Sequence, residues 1–168
     1  MNDFDHRLQR YPWEERETTT VIYHKEKSVI LNASIGEHCT IHAPVWIGNN
    51  VRIGNGCKIQ AFAFIPDGVT LGENVFIGPN VTFTNDKYPP SDTWTKTLIE
   101  NNVSIGAGST ILPGLTVGMF ARIGAGSVVT KNVPRYQTWL GNPARPIIRN
   151  GTSYNDKEHR EHRKSKSK

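Results

Sequence analysis

Three polar side chains recur at an interval of 18 residues: Asn49, Asp67 and Asn85. Each stands two positions after a large apolar residue, Ile47, Ile65 and Phe83, so a fold that repeats every 18 residues sets them in one column. At about 5 Å, the spacing of neighbouring strands, Asp67 and Asn85 can share one amino group. The Asn85 carbonyl would accept an N–H while the Asp67 carboxylate faces the nitrogen. Such a carboxylate favours the ammonium form at rest and also the positive nitrogen that develops when an amine attacks. The same residues suit a plainer role, an asparagine–aspartate ladder that satisfies exposed turn amides. Both readings stand at this point. Gln60 follows His42 by the same 18 residues and is its stacking neighbour, and Asp86 extends the polar set.

The elements that carry the column are legible as a repeat. Val29, Ile35, Ile41, Ile47, Ile53, Ile59, Ile65, Leu71, Ile77 and Phe83 follow one another every six residues; after a break the series resumes as Ile99, Ile105, Ile111, Val117, Ile123 and Val129. A small or apolar residue sits four positions on in the first run, as at Cys39, Val51, Cys57 and Ala63. A period of six fits neither a helix nor an alternating strand, but it fits short β segments separated by corners. Cys39 and Cys57 then stack on adjacent turns as reduced core residues rather than as a bridge or a metal site. The break, TNDKYPPSDTWTKTL, leaves Trp94 without a core position, and solenoids carry insertions of this kind on a binding face. Trp94 either pins the loop to its own coil or packs on a neighbouring subunit.

Composition bounds the rest. The charge of +5 is concentrated after residue 150, in a tail ending KEHREHRKSKSK that has too few apolar groups to offset its ordering. The expectation is a solubilising tail, with no nucleic-acid partner. No apolar run is long enough for a membrane span, and the start lacks a signal-peptide core, so a cytoplasmic location is expected.

The repeat, with KIQAFAF (58–64), GVTLGENVFIGPNVT (68–82), FTNDKYP (83–89), TLIENNVSIGAGSTILPGLTVG (97–118), IGAGSVVTKNVP (123–134) and GNPARPI (141–147), resembles the hexapeptide-repeat acyltransferase superfamily. It is most similar to the enzymes that acetylate the 3-amino group of nucleotide-linked 3-amino-3-deoxy sugars for surface glycans such as the lipopolysaccharide O-antigen. The resemblance implies an all-β fold, a left-handed parallel β-helix of about five coils with one protruding loop at about 84–98. It divides the chain into an N-terminal extension of unassigned role (1–28), the β-helix (29–148) and a basic tail (149–168). Left-handedness comes from the resemblance, since general crossover physics favours the right-handed form.

By the same resemblance the chain is an acetyl-CoA-dependent N-acetyltransferase and a homotrimer. Its substrate is a dTDP- or UDP-linked amino sugar, with a neutral 6-deoxy sugar favoured because Pro89-Pro90 stands where the family continues with Pro-Arg. The implied catalytic residues are Asp67 and Asn85, with Asp86 and Gln60 also binding substrate. Coenzyme A would lie beside the later coils, on Gly106, Ala107, Gly124 and Ala125, with Lys131 and Arg145 meeting its phosphates. Hexapeptide enzymes that acetylate hydroxyls place a His in or beside the loop, because a hydroxyl needs a base. Residues 84–98 contain none, and a neutral amine attacks without one. No metal is expected, since His24, His38 and His42 lack the spacing of the γ-class carbonic anhydrases on this fold. The alternatives are transfer to a 4-amino sugar or from another acyl donor, and a non-catalytic trimeric scaffold.

Overall fold

A computed structural model describes residues 19–149 together with Thr152 and Ser153. The expectations for residues 1–18 and for most of the tail lie outside these residues. Within them the chain winds into a parallel β-solenoid with three flat faces, and it belongs to the left-handed β-helix class. The first face stacks β1 (Val21–Tyr23), β4 (Thr40–His42), β7 (Lys58–Ile59), β10 (Phe76–Ile77), β13 (Ser104–Ile105), β16 (Arg122–Ile123) and β18 (Thr138–Gly141). The second stacks β2 (Val29–Ile30), β5 (Trp46–Ile47), β8 (Phe64–Ile65), β11 (Thr82–Phe83), β14 (Thr110–Ile111) and β17 (Val128–Val129). The third holds β3 (Ser34–Ile35), β6 (Arg52–Ile53), β9 (Thr70–Leu71), β12 (Leu98–Ile99) and β15 (Thr116–Val117).

Each two-residue strand turns one side chain out and one in, and the inward one is the aliphatic of the hexad. Ile41, Ile59, Ile77, Ile105 and Ile123 stand in register down the first face, all buried. Full burial of such a side chain contributes about 1.5–3 kcal/mol, so the stacked aliphatics hold the prism together. Cys39 and Cys57 are 1% and 0% exposed and unbridged. Their thiols donate to the Gly54 and Gly72 carbonyls at 3.2 and 3.1 Å, the geometry that Ser109 adopts towards Gly124 at 3.0 Å.

The stack is taller than the five coils expected, with about seven turns. Two strands outside the regular hexads account for the ends. At the start, β1 pairs in parallel with β4, although Val21 and Tyr23 carry no hexad signature. At the other end, β18 pairs with β16 and then turns back antiparallel onto β19 (Ala144–Pro146). The inserted loop costs the ladder nothing, because β12 rejoins in register between β9 and β15.

Candidate functional site

The corner between the second and third faces carries the 18-residue column. There the chain passes through positive φ at Asn50 (54°), Gly68 (80°) and Gly114 (75°), a conformation that glycine and asparagine adopt most readily. The residue just before each is Asn49, Asp67 and Pro113, and Asn85 holds the same place where the loop departs.

Two of the three column residues are joined. The Asn49 backbone N–H donates to Asp67 Oδ1 at 2.8 Å, and Asn49 Nδ2 donates to Asp67 Oδ2 at 3.3 Å. One coil earlier, the Asn32 N–H donates to Asn49 Oδ1 at 3.4 Å. The ladder reading is therefore correct for Asn49 and Asp67. Similar rungs recur at the corner between the third and first faces, where Asn55 Oδ1 accepts from the Glu37 N–H and Asn101 Oδ1 from the Glu73 N–H, both at 2.9 Å. The ladder stops at Asp67: among the described residues no hydrogen bond ties it to Asn85. The half-buried Asn85 side chain has no protein partner among them, although its carbonyl accepts the Thr95 N–H at 3.1 Å. A carboxylate offers about four lone-pair sites, so Asp67 keeps acceptor capacity beside the unengaged Asn85 amide.

The loop is organised by Asp86, one of the residues expected to bind substrate. Asp86 accepts from the Tyr88 N–H at 3.0 Å, the Ser91 N–H at 2.8 Å and the Ser91 hydroxyl at 2.8 Å. Desolvation pushes its carboxyl up, but the Ser91 hydroxyl and the two amides outweigh it and hold the group below the ordinary aspartate range. Three of its about four lone-pair sites are taken inside the loop. Trp94 is 57% exposed, so its own coil covers less than half of it, and the tether to that coil is a minor part of its environment. The return leg was missed by sequence reasoning. The Lys96 stem lies 3.6 Å from where a Gly68 side chain would begin, and Thr95 fills the equivalent space at Gly114. The only signal for this was glycine at those two corner positions.

The corner between the first and second faces carries the small residues. Gly106 and Gly124 donate their N–H groups to the Ile123 and Trp139 carbonyls, both at 2.8 Å. The ladder takes up these two N–H groups, while Gly106 and Gly124 keep the strip free of side chains. A Cβ on Gly106 would lie 2.5 Å from the Ala125 nitrogen, so close coil contact requires glycine there. Ala107 and Ala125 are exposed, and their N–H groups have no protein acceptor among the described residues. Above this strip the same column holds Gln60, His42 and Tyr23, the latter two with rings stacked at 4.9 Å. Gln60 is half-buried and stands at the opposite edge of the second face from Asp67, so it is not grouped with the Asp67–Asn85 pair within one chain. Lys131 and Arg145 are exposed at the far end, and Arg145 donates to the Ala144 carbonyl at 2.9 Å.

Among the described residues no group of three or more His, Cys, Asp or Glu is placed to hold a metal ion, and no helix is long and apolar enough to cross a membrane.

Comparison with known proteins agrees with this architecture. The family model described as bacterial transferase hexapeptide (six repeats) matches residues 50–85 and 96–131, and that described as hexapeptide repeat of succinyl-transferase matches residues 32–61. Galactoside O-acetyltransferase of Escherichia coli is 36% identical over 137 residues, covering 73% of this chain and 68% of its own. A galactoside acetyltransferase solved in complex with coenzyme A superposes with a TM-score of 0.64, at 30% identity over 76% of this chain and 68% of its own. The Caulobacter crescentus protein PerB, solved with CoA and GDP-perosamine, has a TM-score of 0.69 over 77% of this chain and 57% of its own, and its 23% identity speaks for the fold alone.

Proposed function

The chain belongs to the bacterial transferase hexapeptide family and is an acyltransferase, and from that premise we propose that it transfers the acetyl group of acetyl-CoA to the 3-amino group of a dTDP- or UDP-linked 3-amino-3-deoxy sugar. The observation that carries this reading is the break in the ladder, which leaves the Asn85 amide without a partner among the described residues, beside a carboxylate held on its far side by Asn49. The absence of His from residues 84–98 favours an amine over a hydroxyl, since only the hydroxyl needs a base. The amine lone pair attacks the thioester carbonyl, the C–N bond forms and the C–S bond breaks. CoA leaves as the thiolate, and the surplus proton on nitrogen passes to that sulfur or through Asp67. Asn85 Oδ1 accepts an acceptor N–H and aims the lone pair, while the Asp67 charge favours the developing positive nitrogen.

For the donor, Ala107 and Ala125 supply unengaged amide N–H groups on a strip free of large side chains, which suits the pantetheine arm. Lys131 and Arg145 lie towards the end where its phosphates would sit. The strip and the Asp67–Asn85 column stand on opposite edges of the same face, so one copy cannot bring donor and acceptor together. This supports a site shared between copies, with a homotrimer as the assembly and Trp94 of one copy walling the cleft of the next. The identity to an O-acetyltransferase favours a second reading, a hydroxyl acceptor.

Release of CoA thiol from acetyl-CoA distinguishes them. The acceptors are dTDP-3-amino-3,6-dideoxyhexoses, UDP-3-amino sugars, a 4-amino sugar nucleotide and a 3-hydroxy analogue. Release with a 3-amino acceptor, cut at least about tenfold in Asn85→Ala, is expected, a loss typical of one well-placed polar contact. Release with the hydroxy or 4-amino compound alone overturns the acceptor assignment.

A further inference from the structure

The rung at Asp67 differs from its counterparts at the other ladder corner. Asn55 and Asn101 each present a neutral amide oxygen to one backbone N–H. Asp67 presents a charged group, and Asn49 meets it twice, with its backbone N–H at 2.8 Å on Oδ1 and its side-chain Nδ2 at 3.3 Å on Oδ2. Two donors on two oxygens fix the plane of a carboxylate, where one would leave it free to rotate. The Asn49 amide is itself oriented, because its Oδ1 accepts the Asn32 N–H, which leaves Nδ2 directed at Asp67. Beyond Asp67 the chain of bonds ends, so the remaining lone pairs are presented on the Asn85 side.

We infer that Asn49 is a positioning residue for the transfer reaction, acting through the Asp67 carboxylate: the relay Asn32–Asn49–Asp67 holds that group in the plane from which it meets the acceptor amine. The inference rests on the proposed acyl transfer and names a device of that same site. The groups facing Asp67 are few. Asn49 and Asn85 are uncharged, Asp86 is turned into its own loop, and the Lys96 stem crosses Gly68 next door. Removing the Asn49 side chain withdraws one of the two donors that fix the carboxylate plane.

The test compares Asn49→Ala with Asn55→Ala, a rung lost from the other corner, in the acetyl-transfer assay with kcat and KM determined for donor and acceptor, and repeats Asn49→Ala in the Asp67→Asn background. Asn49→Ala is expected to lower kcat/KM for the amino acceptor about tenfold, with KM for acetyl-CoA unchanged. In an Asp67→Asn background, where the carboxylate is already gone, Asn49→Ala should lower activity by less than about twofold more, because it acts through that group. Asn55→Ala should lose comparable stability and leave kcat/KM for the amino acceptor within about twofold of wild type. A kcat/KM unchanged in Asn49→Ala, lowered equally in Asn55→Ala, or lowered as much again in the Asp67→Asn background, overturns the relay alone. A wild-type protein that transfers acetyl to no amino acceptor overturns the underlying reading, and with it the role assigned to Asn49.

Discussion

Asp67 is asked to do two things, to tie adjacent coils and to meet an amine, and two substitutions separate them. Asp67→Ala removes both acceptors of the Asn49 bonds, leaving a half-buried backbone N–H and an amide NH₂ without protein partners. Hydrogen bonds to charged groups contribute about 1.5–3 kcal/mol each where well formed. Only the 2.8 Å contact is short, and water can partly replace the longer one, so the net loss is about 2 kcal/mol. For a chain of this size that lowers Tm by about 4–8 °C. Asp67→Asn keeps an oxygen for the Asn49 N–H, as Asn55 does for Glu37, and should cost less than about 1 kcal/mol. Activity follows the other pattern: both variants lose the charge that favours the developing ammonium, so both should lose transfer to the amino acceptor. Thermal or urea unfolding of the three proteins, read beside CoA release, checks this. If Asp67→Asn unfolds with Asp67→Ala, the rung depends on the charge and the argument from Asn55 fails. If Asp67→Asn retains full activity, the carboxylate has no part in the chemistry.

Three further outcomes follow from geometry already described. Gly106→Ala would place a methyl 2.5 Å from the Ala125 nitrogen; the coils must separate, and a loss of about 1–3 kcal/mol in urea unfolding is expected. Cys57→Ser should stay within about 1 kcal/mol of wild type, since Ser109 makes the same bond at 3.0 Å in an equivalent buried place, while intact Cys57 should resist thiol reagents until the protein unfolds. Its neighbour Cys39 and burial both push that thiol up, and a buried thiol is a poor nucleophile. Asp86→Ala should expose the Tyr88 and Ser91 amides to hydrogen exchange. In the wild type the folded carboxyl is held below its unfolded value, so its contribution to loop order is complete above the ordinary aspartate range. That contribution is lost only as pH falls through the lower folded value, and exchange at Tyr88 and Ser91 measured against pH reads this directly.

The hexads were legible because burial imposes them: an inward Ile every six residues is a demand of packing, repeated along the stack until it rises above composition. The ends were not, because Val21–Tyr23 and Thr138–Gly141 pair through backbone groups, which any sequence supplies. At the site, the spacing of Asn49, Asp67 and Asn85 disclosed the column, since spacing is all that a fixed coil length requires. Which of them are bonded to each other depends on side-chain rotation, and that is why Asp67 reached back to Asn49 while Asn85 stayed unengaged. Asp86 shows the same limit. Its type suggested a substrate contact and said nothing of the loop, where Tyr88 and Ser91 take up three of its lone-pair sites.

The loop leaves and rejoins the solenoid across one backbone bond, Thr95 N–H to the Asn85 carbonyl at 3.1 Å. The coils above and below keep register regardless of what lies between. A closed excursion of this kind is nearly indifferent to its own length, since doubling it adds only about 0.6 kcal/mol of closure entropy. The stack can therefore accept a foreign segment between Asn85 and Thr95 without renegotiating its core. In evolutionary terms, the segment is a removable cartridge in a fixed housing, whose sequence can change while the coils on either side keep their register.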